Sequence, residues 1–180
     1  MKIVQAGSLL LGILAAVFVV GGMVVPSLWQ VSRSTIIAKN PEVIYPYLAS
    51  LKKWEQWSVW TQENDPTLVY TYEGPESGKG AKQHWTSKKM GSGWLEITEA
   101  NPETGIVYTL FIDMGRFQST IQGSIKLEGG STYTKLTWSD HGDAGENLLK
   151  KWMNMIMDPM LGRQLETSLV RLKTLIEKTH

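Results

Sequence analysis

The chain has 180 residues, 42% of them hydrophobic and 19% charged, enough for one globular domain plus an extra element. Lys and Arg number 18 against 17 Asp and Glu, a formal net charge of +1, so no basic field is present to hold nucleic acid. Cysteine is absent, which excludes disulfides, thiolate nucleophiles and zinc–thiolate clusters while leaving the redox compartment open.

The N-terminus carries the strongest signal. No charged residue occurs from Ile3 to Ser32, and AGSLLLGILAAVFVVGGMVV (residues 6–25) is almost wholly apolar or small. At about 1.5 Å per residue this stretch reaches roughly 30 Å, the thickness of a bilayer's hydrocarbon core. Lys2 precedes it, Pro26 ends it, and Trp29 sits where an interfacial aromatic is expected. A cleaved signal peptide has a shorter apolar core and a small-x-small site, which VPS (25–27) matches poorly. A buried soluble helix would have a polar face, and this one has none. The sequence therefore predicts an uncleaved, single-pass transmembrane anchor over residues 1–29, with the helix at about 5–27. Two positive groups before the span (the α-amino group and Lys2) balance Arg33 and Lys39 after it. The short head favours a signal anchor, with the following domain (31–180) on the extracytoplasmic side.

Beyond the span, VSRSTIIAK (31–39) is rich in β-branched residues and predicts a strand. In NPEVIYPYLASL (40–51), Asn40 is placed to cap a helix that starts at Pro41, and Ile44, Tyr47, Leu48 and Leu51 share one face. Pro46 lacks the N–H that the turn needs, so this helix is expected to be short or kinked. KWEQWSVW (53–60) sets Trp54, Trp57 and Trp60 three apart, the period of a tight helical or 3₁₀ segment and not of a strand. Such rings either plug the end of a core or line an apolar cavity.

Strand signals follow at hairpin spacing over 67–73, 81–88, 93–99, 105–113, 116–128 and 132–140. In the fifth, Phe117, Ile121, Ile125 and Leu127 alternate with Gln118, Thr120, Gln122 and Lys126, the pattern of an antiparallel sheet with one wet face. From Glu146 onward, apolar residues return every three to four positions. Pro159 is expected to bend or restart this helix, with Asp158 capping its second part.

The order of elements, together with WEQWSVW (54–60), YTYEGPESGKGAKQHW (70–85), GSGWLEITEANP (91–102) and MDPMLGRQLETSLVRLKTLIE (157–177), resembles the START-like SRPBCC superfamily, and within it the bacterial polyketide cyclase/dehydrase-like group. The resemblance implies an α+β, START/Bet v 1-like helix-grip fold, a seven-stranded antiparallel sheet wrapped around a long C-terminal helix. It also implies an apolar cavity for a lipid, polyketide or other hydrophobic small molecule. The group has no shared catalytic set to carry over.

Other chemistries find little support. GPESGKG (74–80) is one residue too short between its glycines for a phosphate loop and leads into a strand. Asp140, His141, Asp143 and Glu146 lie in one contiguous stretch, read as loop solvation before a helix and not as a metal site. His84 alternates with an inward Trp85 and is expected on the wet face; His141 and the terminal His180 complete the histidines. Acid–base work would fall to Glu96, Asp113, Tyr72 or Tyr108, if they face a cavity. No cofactor is implied. The predicted ligand-binding set is Trp57 and Trp60 at one end of the cavity, with Tyr70, Tyr72, Trp85, Phe117, Ile121 and Trp138 from the sheet. Trp152, Met153, Ile156 and Met160 complete it from the helix, where methionine suits irregular apolar space. The expected function is a membrane-anchored binder or carrier of a hydrophobic small molecule. A cyclase/dehydratase-type enzyme and a ligand-free membrane-tethered interaction module remain the alternatives, and the oligomeric state is open.

Overall fold

Helix α1 runs from Lys2 to Val24, and Pro26, which cannot extend a helix, turns the chain into strand β1 (Leu28–Ile37). These elements belong to a computed structural model that describes residues 2–178, with side chains described from Leu10 onward. Met1, Thr179 and His180, which the expected units included, lie outside the described residues. Among the described residues no helix is long and apolar enough to cross a membrane. The transmembrane span expected over 1–29 is thus not supported by the structure, and the helix ends at Val24, short of its predicted limit. Trp29, expected as an interfacial aromatic, lies beyond α1. It sits in β1, and its ring covers Gly142 across the sheet.

Helix α2 (Pro41–Ala49) is short, as Pro46 requires, and the Asn40 side chain caps it by accepting from the Val43 N–H at 3.1 Å. A 3₁₀ segment over Leu51–Gln56 follows, fixed by the Trp54 indole N–H donating to the Leu48 carbonyl at 2.9 Å. The chain then lays down β2 (Val69–Glu73), β3 (Lys82–Ser87), β4 (Gly91–Asn101), β5 (Gly105–Asp113), β6 (Gln118–Gly129) and β7 (Thr134–Asp143). The sheet is antiparallel throughout, in the order β1-β7-β6-β5-β4-β3-β2. The alternation read from the sequence holds in β6: Ile121, Ile125 and Leu127 are buried, and Gln118, Thr120, Gln122 and Lys126 are exposed.

Helix α3 (Leu148–Lys178) closes the inner face, burying Leu165, Leu169, Leu172 and Ile176 against the sheet. Its N-cap is Asn147, whose side chain accepts from the Lys150 N–H at 3.0 Å. Pro159 neither restarts nor ends it. The proline deprives only the carbonyl of Met155, an exposed residue, of its partner, so water can satisfy that group. Asp158 is therefore no cap. It takes a bidentate pair from the Arg33 guanidinium of β1, at 2.9 and 3.1 Å, and Gly162 leaves the space in which that guanidinium lies.

Inside the sheet, two further glycines are covered by the ring of their register partner. Gly93 of β4 lies under Trp85 of β3, and Gly123 of β6 lies under Tyr108 of β5. A Cβ at either position would collide with the ring above it.

Candidate functional site

Three tryptophans from the 3₁₀ segment and its continuation converge on one from β7. The rings of Trp54, Trp57 and Trp60 lie 5.5, 5.5 and 5.9 Å from that of Trp138, each steeply inclined to it. Their spacing of three follows from the 3₁₀ turn and its exit, which send successive rings to one side. The two readings of KWEQWSVW divide within that stretch. Trp57 is fully buried, its indole N–H held by the Tyr47 carbonyl at 3.2 Å, and it plugs the core. Trp54 and Trp60 line a cavity.

This cavity has a volume of about 270 Å³ and lies between the inner face of the sheet, the tryptophan segment and Leu161 and Gln164 of α3. From the predicted set it gathers Trp60, Tyr70, Trp85, Ile121 and Trp138. Lys89, Met90 and Met114 line it at two hairpin tips, where Lys89 and Met114 are exposed.

The other predicted residues stand elsewhere. Tyr72 donates to the Glu55 carboxylate at 2.5 Å beside the cavity and does not line it. Phe117 precedes β6 and lies beneath the Lys150 ammonium, 5.4 Å from its ring centre. Trp152, Met153, Ile156 and Met160 line no wall of the cavity. Trp152 stacks on Phe18 at 6.0 Å and donates to the Phe18 carbonyl at 3.0 Å, and Gly21 and Gly22 of α1 make room for its ring. Ile156 and Met160 are exposed.

Among the carboxylates and tyrosines considered for acid–base work, only Tyr108 faces the cavity. Glu96 points outward to the Lys82 ammonium at 3.2 Å, and Asp113 accepts from the Gly115 N–H at 2.7 Å and the Gln118 amide at 2.8 Å. Asp140 corrects the sequence reading. Strand β7 runs on to Asp143, and period 2 from Leu136 and Trp138 carries Asp140 to the buried face, with His141 exposed opposite. Tyr108 reaches Asp140 by laying its ring across Gly123, which opposes both residues in the sheet register. Its hydroxyl donates to the carboxylate at 2.5 Å and accepts from the Trp138 indole N–H at 2.7 Å. Burial pushes the Asp140 carboxyl up to about 6 against the opposing effect of the Tyr108 and Trp138 hydrogen bonds. Burial, and then the neighbouring Asp140, push the Tyr108 phenol well above its ordinary value, so it stays protonated.

An antiparallel sheet gripping one long helix, with a ring-walled apolar cavity between them, defines the helix-grip class of small-molecule-binding folds. The family model for polyketide cyclase / dehydrase and lipid transport proteins matches residues 29–177, and the chain belongs to that family. Among solved structures, MLL2253 from Mesorhizobium loti aligns with a TM-score of 0.60 at 15% identity, covering 84% of this chain and 98% of that one. For jhp0584 from Helicobacter pylori the TM-score is 0.60 at 10% identity, covering 81% and 86%. DynU16, from the dynemicin biosynthetic locus, gives 0.57 at 15% identity, covering 83% of this chain and 47% of that one. At such identities the likeness is one of fold. A comparison with curated proteins returns no match.

Proposed function

We propose that the protein binds or carries a hydrophobic small molecule, lipid- or polyketide-like, in the cavity between sheet and α3, while α1 tethers it to a membrane with the domain on the extracytoplasmic side. The observation that carries the binding reading is the cavity itself, walled by Trp54, Trp60, Tyr70, Trp85 and Trp138 with a single buried acid. The family's hydrophobic-ligand fold agrees with it. The tether is supported by the uncharged run 6–25, all but its last residue within α1, and by the exposure of Leu11, Leu14, Val17, Val20 and Val24 along that helix. A cyclase/dehydratase-type activity is the second reading, favoured by one observation: a carboxyl poised at about 6 within the cavity is suited to acid–base chemistry near neutral pH.

Titration of detergent-solubilised full-length protein with polyaromatic and lipid probes, read by tryptophan emission, tests the binding reading. A saturable change is expected, and Leu110→Trp, which fills the cavity from a half-buried wall position, should abolish it. If no probe perturbs the emission, the rings are core and the reading fails.

A further inference from the structure

Most polar groups in the buried wall of the cavity are paired with one another or with the backbone. The Trp54 N–H is engaged by the Leu48 carbonyl, and the Tyr70 hydroxyl donates to the Trp60 carbonyl at 2.8 Å. The Gln83 amide donates to the Tyr72 hydroxyl at 3.3 Å, and the Trp138 N–H and Tyr108 hydroxyl form the relay that ends on Asp140. These donors are committed within the protein, and Lys89, at the exposed mouth, donates to the Asn64 carbonyl at 3.1 Å, while the indole N–H groups of half-buried Trp60 and Trp85 have no partner among the described residues. What remains at the buried wall is the Asp140 carboxylate, 3% exposed, and among the described residues no cationic side chain pairs with it. Gln164, half-buried on α3, can donate or accept.

A buried carboxylate with no counter-charge is costly even where neighbouring groups hydrogen-bond to it, and a ligand that supplied a further donor would relieve it. We propose that the cavity selects apolar molecules that carry a hydrogen-bond donor, a hydroxyl or a protonated amine, and that this donor meets Asp140. The proposal rests on the binding reading above and names the ligand class of the same site. The surrounding rings favour either source, since their faces accept both apolar surface and an ammonium. A molecule of the same shape whose only polar group is an ether or ketone would leave the carboxylate unpaired. Near neutral pH the carboxyl is largely ionised, which keeps it an acceptor.

Three matched probes test this on the full-length protein in detergent at neutral pH: 2-(2-naphthyl)ethanol, its methyl ether and 2-(2-naphthyl)ethylamine. The alcohol, the amine or both should bind at least about tenfold more tightly than the ether, and which of them does so identifies the donor. Asp140→Asn keeps an oxygen for the Tyr108 hydroxyl and turns an amide N–H₂ towards the ligand, so the preference should collapse or invert in favour of the ether. Tyr108→Phe leaves the carboxylate in place and should preserve the preference, so the inference does not depend on the asparagine variant folding. If all three probes bind with one Kd, the donor proposal is overturned and the binding reading stands. If none produces a saturable change, both fall.

Discussion

Asp140 shows how little of a residue's role lies in its immediate sequence context. SDHGDAGE has the composition of a loop, yet the strand continues through its first half, because the Leu136–Trp138 alternation already commits the residue two positions on, Asp140, inward. Buried there, the carboxyl has a folded value of about 6, against about 4 in an unfolded chain. Between those values the native state holds the extra proton, so stability falls as pH rises through the window, by about 3 kcal/mol once ionisation is complete. Asp140→Asn should therefore be more stable than the parent by about 1–3 kcal/mol near pH 7.5, with the gain vanishing towards about pH 4, as read by urea unfolding. Asp65, held below the usual carboxylate range by Ser87 and Thr67, and Asp158, held there by Arg33, lose their stabilisation as pH falls, but equally in both proteins. Trp57 and Trp60 separate in the same assay. Truncating the fully buried Trp57 to alanine should cost about 3–5 kcal/mol, whereas half-buried Trp60→Ala should cost under about 2 kcal/mol and act mainly on probe binding. Equal losses would undo that division of labour.

At the scale of elements, the sheet's inner face is built by rings lying over glycines, and Gly123 is the pair on which the cavity's polar wall depends. The ring of Tyr108 must cross β6 to reach β7, about 10 Å at the usual strand spacing, and any side chain at Gly123 blocks it. Gly123→Ala should cost about 2–4 kcal/mol through overpacking and loss of the buried hydrogen bond to Asp140. Gly130→Ala, where a Cβ meets nothing, should leave thermal unfolding unchanged. A wild-type Tm in Gly123→Ala would mean that the ring has another route. The glycine had a sequence signal, its place at an inward position between Ile121 and Ile125, where a strand glycine marks a close approach. Helix α3 was harder to read. Its apolar stripe is continuous in sequence, but its partners change: Leu148 and Trp152 meet the glycines of α1, Leu161 meets the cavity, and Leu165 to Ile176 meet the sheet. Periodicity defines a face and does not identify what that face touches.

At the scale of the whole molecule, the proposed tether through α1 sets where the domain is held. If the tether is right, alkaline carbonate washing should leave the full-length chain in the membrane pellet with an intact mass that includes residues 1–27, and detergent alone should release it. Recovery in the carbonate supernatant, or a mass beginning near Leu28, would remove the tether from the reading and leave the cavity untouched. The sequence by itself determined what depends on local physics. The short α2 follows from Asn40, Pro41 and Pro46, the 3₁₀ turn from tryptophans three apart, the strands from alternation, and the long final helix from its period. Even the inward face of Trp85 and the outward face of His84, which meets Glu73 at 3.0 Å, were readable from period 2. Tertiary structure alone decided what depends on distant residues meeting. It sent Trp152 to Phe18 and not to a cavity, gave Asp158 to Arg33 and not to a helix cap, and brought Tyr108, Gly123 and Asp140 into line across three strands. Backbone propensity acts over a few neighbours, whereas burial, pairing and the charge state of a carboxyl are set by whichever surfaces the fold brings together.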